Sequence, residues 1–157
     1  MRFDRLTAKL QEAVSDAQSL AVGRDNTAIE PGHVLMALLE QQGGSVRPLL
    51  VQAGADAALL ARELGAHLDN LPRLKTPTGE VSVGAELNRV FNLADKLAQQ
   101  RGDQFIASEL VLLAMFEANV DVAKVLQKAG VQKARLMQAI DQVRGGEAVK
   151  DANAEEN

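Results

Sequence analysis

The sequence predicts an all-α fold: two tandem four-helix repeats packed on one another with pseudo-twofold symmetry. Three observations predict it. First, the chain is written twice. Leu20-Ala21 returns as Leu97-Ala98, 77 positions on, and at that offset Ala17, Arg24, Ile29 and Val34-Leu35 fall on Ala94, Arg101, Ile106 and Val111-Leu112. One residue is then lost, and Val46, Leu50 and Ala53-Gly54 fall on Val122, Leu126 and Ala129-Gly130 at an offset of 76. Second, apolar residues recur at helical spacing in both copies. Third, Gly and Pro punctuate the chain between those periodic stretches. A unit of four short helices buries little by itself, so the copies are expected to pack together.

The first helix is expected from about Thr7 to Arg24, with Leu6, Leu10, Ala13, Val14, Ala17, Leu20 and Ala21 on one stripe. Asp4 or Thr7 is the candidate cap, and Asp25-Asn26 breaks the pattern. The second starts at Glu30-Pro31, where a proline in the first helical position loses nothing by lacking an N–H, and runs to Gly43-Gly44. The third covers about Ser45 to Ala53 and closes on Gly54. Asp56 caps the fourth, which carries Leu60, Leu64 and Leu68. A linker with Pro72, Pro77 and Gly79 follows. Helices five to eight repeat the scheme at about 84–100, 108–118, 122–129 and 133–144. Residues 1–149 thus read as one domain, with repeat one over about 1–70, the linker over about 71–83 and repeat two over about 84–145; residues 146–157 read as a flexible polar tail.

Composition excludes several function classes. The chain has 157 residues, 46% of them apolar, which supplies a real core. Its only aromatics are Phe3, Phe91, Phe105 and Phe116, so stacking platforms for single-stranded nucleic acid are missing. A net charge of −4 with no basic block argues against phosphate-backbone binding. Zero Cys excludes thiol chemistry and fits a cytoplasmic setting. The sequence shows neither a signal peptide nor a run long enough for a membrane span.

No catalytic set assembles. His33 and His67 lack metal-ligand spacing and any Cys partner. His33 reads as a packed or hydrogen-bonded residue at a helix start, and His67 as a surface residue. Gly43-Gly44-Ser45 and Gly145-Gly146 are helix stops, since no Lys-Ser or Lys-Thr follows them as a phosphate loop requires. Arg101-Gly102-Asp103 reads as an ordinary turn. The chain is expected to hold no catalytic residue, no metal site and no cofactor.

Surface recognition remains, and the differences between the copies point to it. Helix six, through Leu110-Val111-Leu112-Leu113-Ala114-Met115-Phe116, is apolar all round, so it is either sandwiched or leaves a face exposed. His33 stands in copy one where copy two has Leu110. Phe91 lies at the edge of the fifth helix's stripe and Leu93 lies off it. Phe91, Leu93 and Leu110 therefore either line a groove for an extended peptide or pack between the copies. Asp103 and Glu109 stand beside them. Glu109 suits the helix dipole, and both carboxylates would attract basic-apolar peptide segments.

These residues also carry a resemblance. Met1-Arg2-Phe3-Asp4-Arg5-Leu6-Thr7, Asp16-Ala17-Gln18-Ser19-Leu20-Ala21, Gly43-Gly44-Ser45-Val46, Asp95-Lys96-Leu97-Ala98-Gln99 and Arg144-Gly145-Gly146-Glu147 resemble the N-terminal domains of the ClpB disaggregases, heat-shock chaperones of the AAA+ Clp family. The resemblance covers essentially the whole chain. It implies a non-catalytic, substrate-binding accessory domain that engages unfolded or aggregated polypeptide through an apolar groove. ATP and Mg would belong only to ATPase modules outside this segment. The full-length protein would be a homohexamer and the isolated domain a monomer. The tail would lead toward the ATPase modules. Thr7, Asp103 and Glu109 match polar positions linked to substrate handling, and Phe91 and Leu110 match the groove. An adaptor-docking domain feeding a protease, or a purely structural module, are the alternatives. Three departures stand out: Gly32 where an acidic residue is usual, Ala107 where a hydroxyl residue often caps, and Phe91 in place of an aliphatic residue.

Overall fold

A computed structural model describes residues 2–156. Its helices, in chain order, are α1 (Ala8–Gly23), α2 (Pro31–Glu40), α3 (Val46–Gln52), α4 (Ala57–Asp69), α5 (Ala85–Gln100), α6 (Ser108–Glu117), α7 (Asp121–Lys128) and α8 (Lys133–Arg144). Single 3-10 turns over Phe3–Arg5 and Ala154–Glu156 flank them. The fold is all-helical, as the periodicity predicts. Of the expected ends, the one that moves most is that of α2, which stops at Glu40, ahead of the glycine pair.

Local chemistry accounts for the helix ends. Thr7 Oγ1 accepts the Leu10 N–H at 3.3 Å, and Asp56 Oδ1 accepts the Leu59 N–H at 3.1 Å. At α2 a capping box closes around Pro31: the Glu30 carboxylate accepts the His33 N–H, and the Glu30 N–H donates to His33 Nδ1 at 2.9 Å. α8 ends on Gly145 in the left-handed region.

The two copies interleave. Within a copy the first two helices pair, α1 on α2 and α5 on α6. The later helices exchange: α3 packs on α8, and its symmetry mate α7 packs on α4. The backbone records the same exchange. The Asp56 N–H donates to Ala129 O at 2.8 Å, and the Gln132 N–H donates to Ala53 O at 3.3 Å, a pair of bonds related by the repeat. The pseudo-twofold passes between Gly54 (φ +112°) and Gly130 (φ +104°), where a Cβ on either would stand 2.6 Å from the other's carbonyl oxygen. Only glycine permits that approach and that backbone. The entry segments exchange too. Thr7 N–H meets Ile106 O at 3.1 Å and Ile106 N–H meets Arg5 O at 2.8 Å; their mates are Gly84 N–H to Ile29 O at 3.0 Å and Ile29 N–H to Ser82 O at 2.9 Å. These are isolated bridges, Leu6–Ile106 and Ile29–Val83, with no strand between the helices among the described residues.

One core spans both copies, from Leu6 and Leu35 through Leu64 to Leu110 and Leu136. Each fully buried leucine contributes about 1.5–3 kcal/mol of transfer free energy. α6 is the sandwiched helix: Leu110 to Met115 are all buried, against α5, α8, α7 and α2.

Past α8 the chain does not leave the domain. The Gln104 N–H donates to Val149 O at 2.7 Å, the Ala8 N–H to Ala152 O at 2.8 Å, and Val149 is buried. The segment read as a flexible polar tail lies, over its described residues, against the globule. Its composition offers few apolar anchors, yet its backbone and one carboxylate find partners among the open loop and helix-start donors of the globule.

Candidate functional site

Arg144, on the last turn of α8, is the hub of a buried polar cluster. Its Nη1 donates to both oxygens of Asp103, at 3.0 and 2.8 Å, and its Nε donates to Glu109 Oε1 at 3.0 Å. Asp103 Oδ1 also accepts the Val149 N–H at 2.9 Å. The Asp103 side chain is fully buried, and only 8% of the Arg144 side chain is exposed. Burial pushes the Glu109 carboxyl up, the nearby Glu155 pushes the same way, and Arg144 opposes both. Burial works against the Arg144 charge, but Glu109 and Asp103 outweigh it and hold the guanidinium above its ordinary value.

Above this cluster lies an apolar pocket of about 180 Å³, lined by Ser45, Pro48, Leu49 and Gln52 of the α3 segment, Ile140 and Val143 of α8, and Glu109 of α6. It sits on the α3–α8 junction, where the copies meet. Val143 on its rim is 68% exposed. The repeat places a second such site at the α7–α4 junction, with Gly32 at the position of Glu109 and His67 at that of Val143. There the imidazole fills the space: a Cβ on Gly32 would stand 2.8 Å from His67 Cδ2. Gly32, the departure noted in the sequence, thus leaves room for the ring of His67, which is half-buried and not the surface residue expected. One junction is plugged and the other is open.

The structure separates the candidate residues. Phe91, at 2% exposure, and Leu110, at 0%, lie in the core, so the groove reading is corrected for both in favour of interior packing. The apolar stripe of a helix is wider than its strongest period, and α6 has neighbours on every side. Leu93 is partly buried against the core. Thr7 is fully buried and caps α1. Asp103 serves the Arg144 cluster, away from the surface. Glu109 alone of the six lines the pocket. Sequence reasoning missed Pro48, Leu49, Ile140 and Val143. Val143 falls by spacing on the Leu136–Ala139–Ile140 stripe of α8, so no local pattern marked it as exposed. His33 is buried as expected, with Nε2 2.7 Å from Asn26 Oδ1. Among the described residues no group of His, Cys, Asp and Glu could hold a metal, and no helix is long and apolar enough to cross a membrane.

Comparison with known proteins agrees with this architecture. Residues 5–129 match the family model of the Clp repeat (R) N-terminal domain. The chain is 59% identical over 157 residues to the chaperone protein ClpB of Pseudomonas putida and 46% identical over 156 residues to that of Vibrio cholerae. It spans 18% of the length of each of these relatives, and they cover 100% and 99% of it. Among solved structures, the Hsp104 N-terminal domain of Candida albicans superposes with a TM-score of 0.84 at 23% identity, covering 96% of this chain and 98% of that one. The N-terminal domain of the ClpV1 ATPase from E. coli gives 0.76 at 25% identity, covering 91% and 88%.

Proposed function

Because this chain belongs to the family of Clp repeat N-terminal domains, we propose that it is the polypeptide-engaging accessory domain of an ATP-dependent disaggregase and performs no catalysis itself. The similarity to ClpB chaperones supports the setting. The observation that carries the reading is the asymmetry of the two junctions. The α4–α7 junction is closed by His67 on Gly32, whereas its mate between α3 and α8 stays open, apolar and rimmed by an exposed valine. An exposed apolar recess where two units meet marks an interaction site. Its small size suits single side chains of many sequences better than one folded partner.

Unfolded or aggregated chains would enter through an apolar side chain seated between Pro48 and Val143. Glu109 borders the recess, and with Asp103 it sets two carboxylates against the one guanidinium of Arg144, which favours segments with basic residues beside apolar ones. Weak contacts of this kind gain avidity when six domains are displayed on a homohexameric ring in the cytoplasm. ATP and Mg would act in the ATPase modules of such a ring.

The test is an NMR titration of the labelled domain with a permanently unfolded, casein-like protein, repeated with Val143→Asp. Shifts at Leu49, Glu109, Ile140 and Val143 that vanish in the variant are expected. Val143 is exposed, so the variant keeps its fold. Undiminished binding by Val143→Asp would refute the pocket, and binding only to one folded partner would indicate adaptor docking.

A further inference from the structure

The N-terminus of α6 lacks a cap of its own. Ala107 stands at the N-cap and makes no side-chain bond, where its mate Glu30 caps α2 with a carboxylate. A carboxylate is nevertheless present. It belongs to Glu155, whose Oε2 accepts the Ser108 N–H at 3.1 Å and the Thr7 hydroxyl. One oxygen thus ties the 3-10 turn over Ala154–Glu156 to the starts of both α1 and α6. Its approach is guided by backbone bonds already described, Gln104 to Val149 and Ala8 to Ala152, and by the Val149 N–H on Asp103. At the matching place in copy one the Thr27 N–H donates to Pro72 O at 3.3 Å, and Pro72 falls on Ala148, one residue short of Val149, so the segment after α8 starts near the path that the linker takes after α4 but one residue out of register.

We propose that residues 149–156 form a strap, clasped by Glu155 in place of the N-cap that Ala107 does not supply, which opens and closes as one unit. Closed, it holds residues 149–156 against the domain. Open, residues 146–156 drawn out would span about 36–40 Å at roughly 3.3–3.6 Å per residue. The clasp therefore sets the reach of the domain on whatever follows it. This holds independently of whether the α3–α8 pocket takes polypeptide. Because the carboxylate is charged and stands at a helix N-terminus, its two bonds are of the stronger, charge-assisted kind.

Trypsin reads the strap directly, since Lys150 is exposed and lies one residue past the bonded Val149. Cleavage after Lys150, followed by mass spectrometry on the whole chain, is expected to accelerate about tenfold in Glu155→Ala, the loss of one charged hydrogen-bonding group. Glu156→Ala removes the same charge from an exposed neighbour and is expected to leave the rate unchanged. Amide exchange supplies the second readout: the Gln104, Ala8 and Val149 amides should lose protection together in Glu155→Ala. Equal rates in the parent and Glu155→Ala, or equal acceleration by both variants, would overturn the clasp. Loss of protection at Ser108 alone would overturn the strap, leaving Glu155 as a local cap.

Discussion

His33 should make the domain lose stability as the pH falls below neutrality. The ring is fully buried, its Nδ1 accepts the Glu30 N–H, and its Nε2 faces Asn26 Oδ1. Both bonds are satisfied only by the neutral tautomer protonated on Nε2. A second proton would face the Glu30 N–H donor to donor. Burial first, then the Arg24 and His67 charges, lowers its pKa from 6.5 to about 4. The unfolded chain takes up a proton near pH 6.5 and the folded chain does not, so the contribution is complete above 6.5 and is lost as the pH falls toward 4. Between pH 7.5 and 4.5 this amounts to about 2.5 kcal/mol, at about 1.4 kcal/mol per pKa unit. With a urea dependence of about 1–3 kcal/mol/M, the midpoint should drop by about 0.8–2.5 M. His67, also lowered chiefly by burial, adds in the same direction, while Glu30 and Glu109, both raised chiefly by burial, oppose it. His33→Gln isolates the effect, because glutamine serves a capping box at this position without titrating. Urea unfolding followed by circular dichroism, from pH 7.5 to 4.5, should show a shallower pH slope in the variant by about that 2.5 kcal/mol. Identical slopes would refute the reasoning.

Three further expectations concern packing. Gly54→Ala and Gly130→Ala should each cost about 2–4 kcal/mol, since each places a Cβ against the opposing carbonyl and strains a positive φ; urea unfolding should rank them alike, as symmetry mates. Arg144→Met should cost about 3–5 kcal/mol by stranding the Asp103 and Glu109 carboxylates, and adding Asp103→Asn should recover part of that in thermal unfolding. Leu110→Asp should abolish the cooperative transition, because it puts a charge at a fully buried position of α6, whereas Val143→Asp should melt within about 0.5 kcal/mol of the parent.

The sequence by itself determined the helices and their duplication. Pro31, Asp56, Thr7 and Gly145 act within a turn of where they stand, and an apolar period needs no distant partner to be read. The offset between the copies was likewise legible, and with it the equivalence of Gly54 and Gly130. Tertiary structure alone decided how the copies interleave, because helix pairing of α3 with α8 and of α4 with α7 joins segments whose local patterns also suit packing within one copy. It also decided which apolar residues are surface. Phe91 and Leu110 resemble groove residues by spacing, yet α6 is enclosed on all sides, while Val143 escapes burial on α8. Two partnerships had no local signal at all, His67 on Gly32 and Glu155 on α6. Each joins residues more than a repeat's helix apart, and a hydrogen bond or a filled recess at that range depends on where the folded backbone brings the two ends.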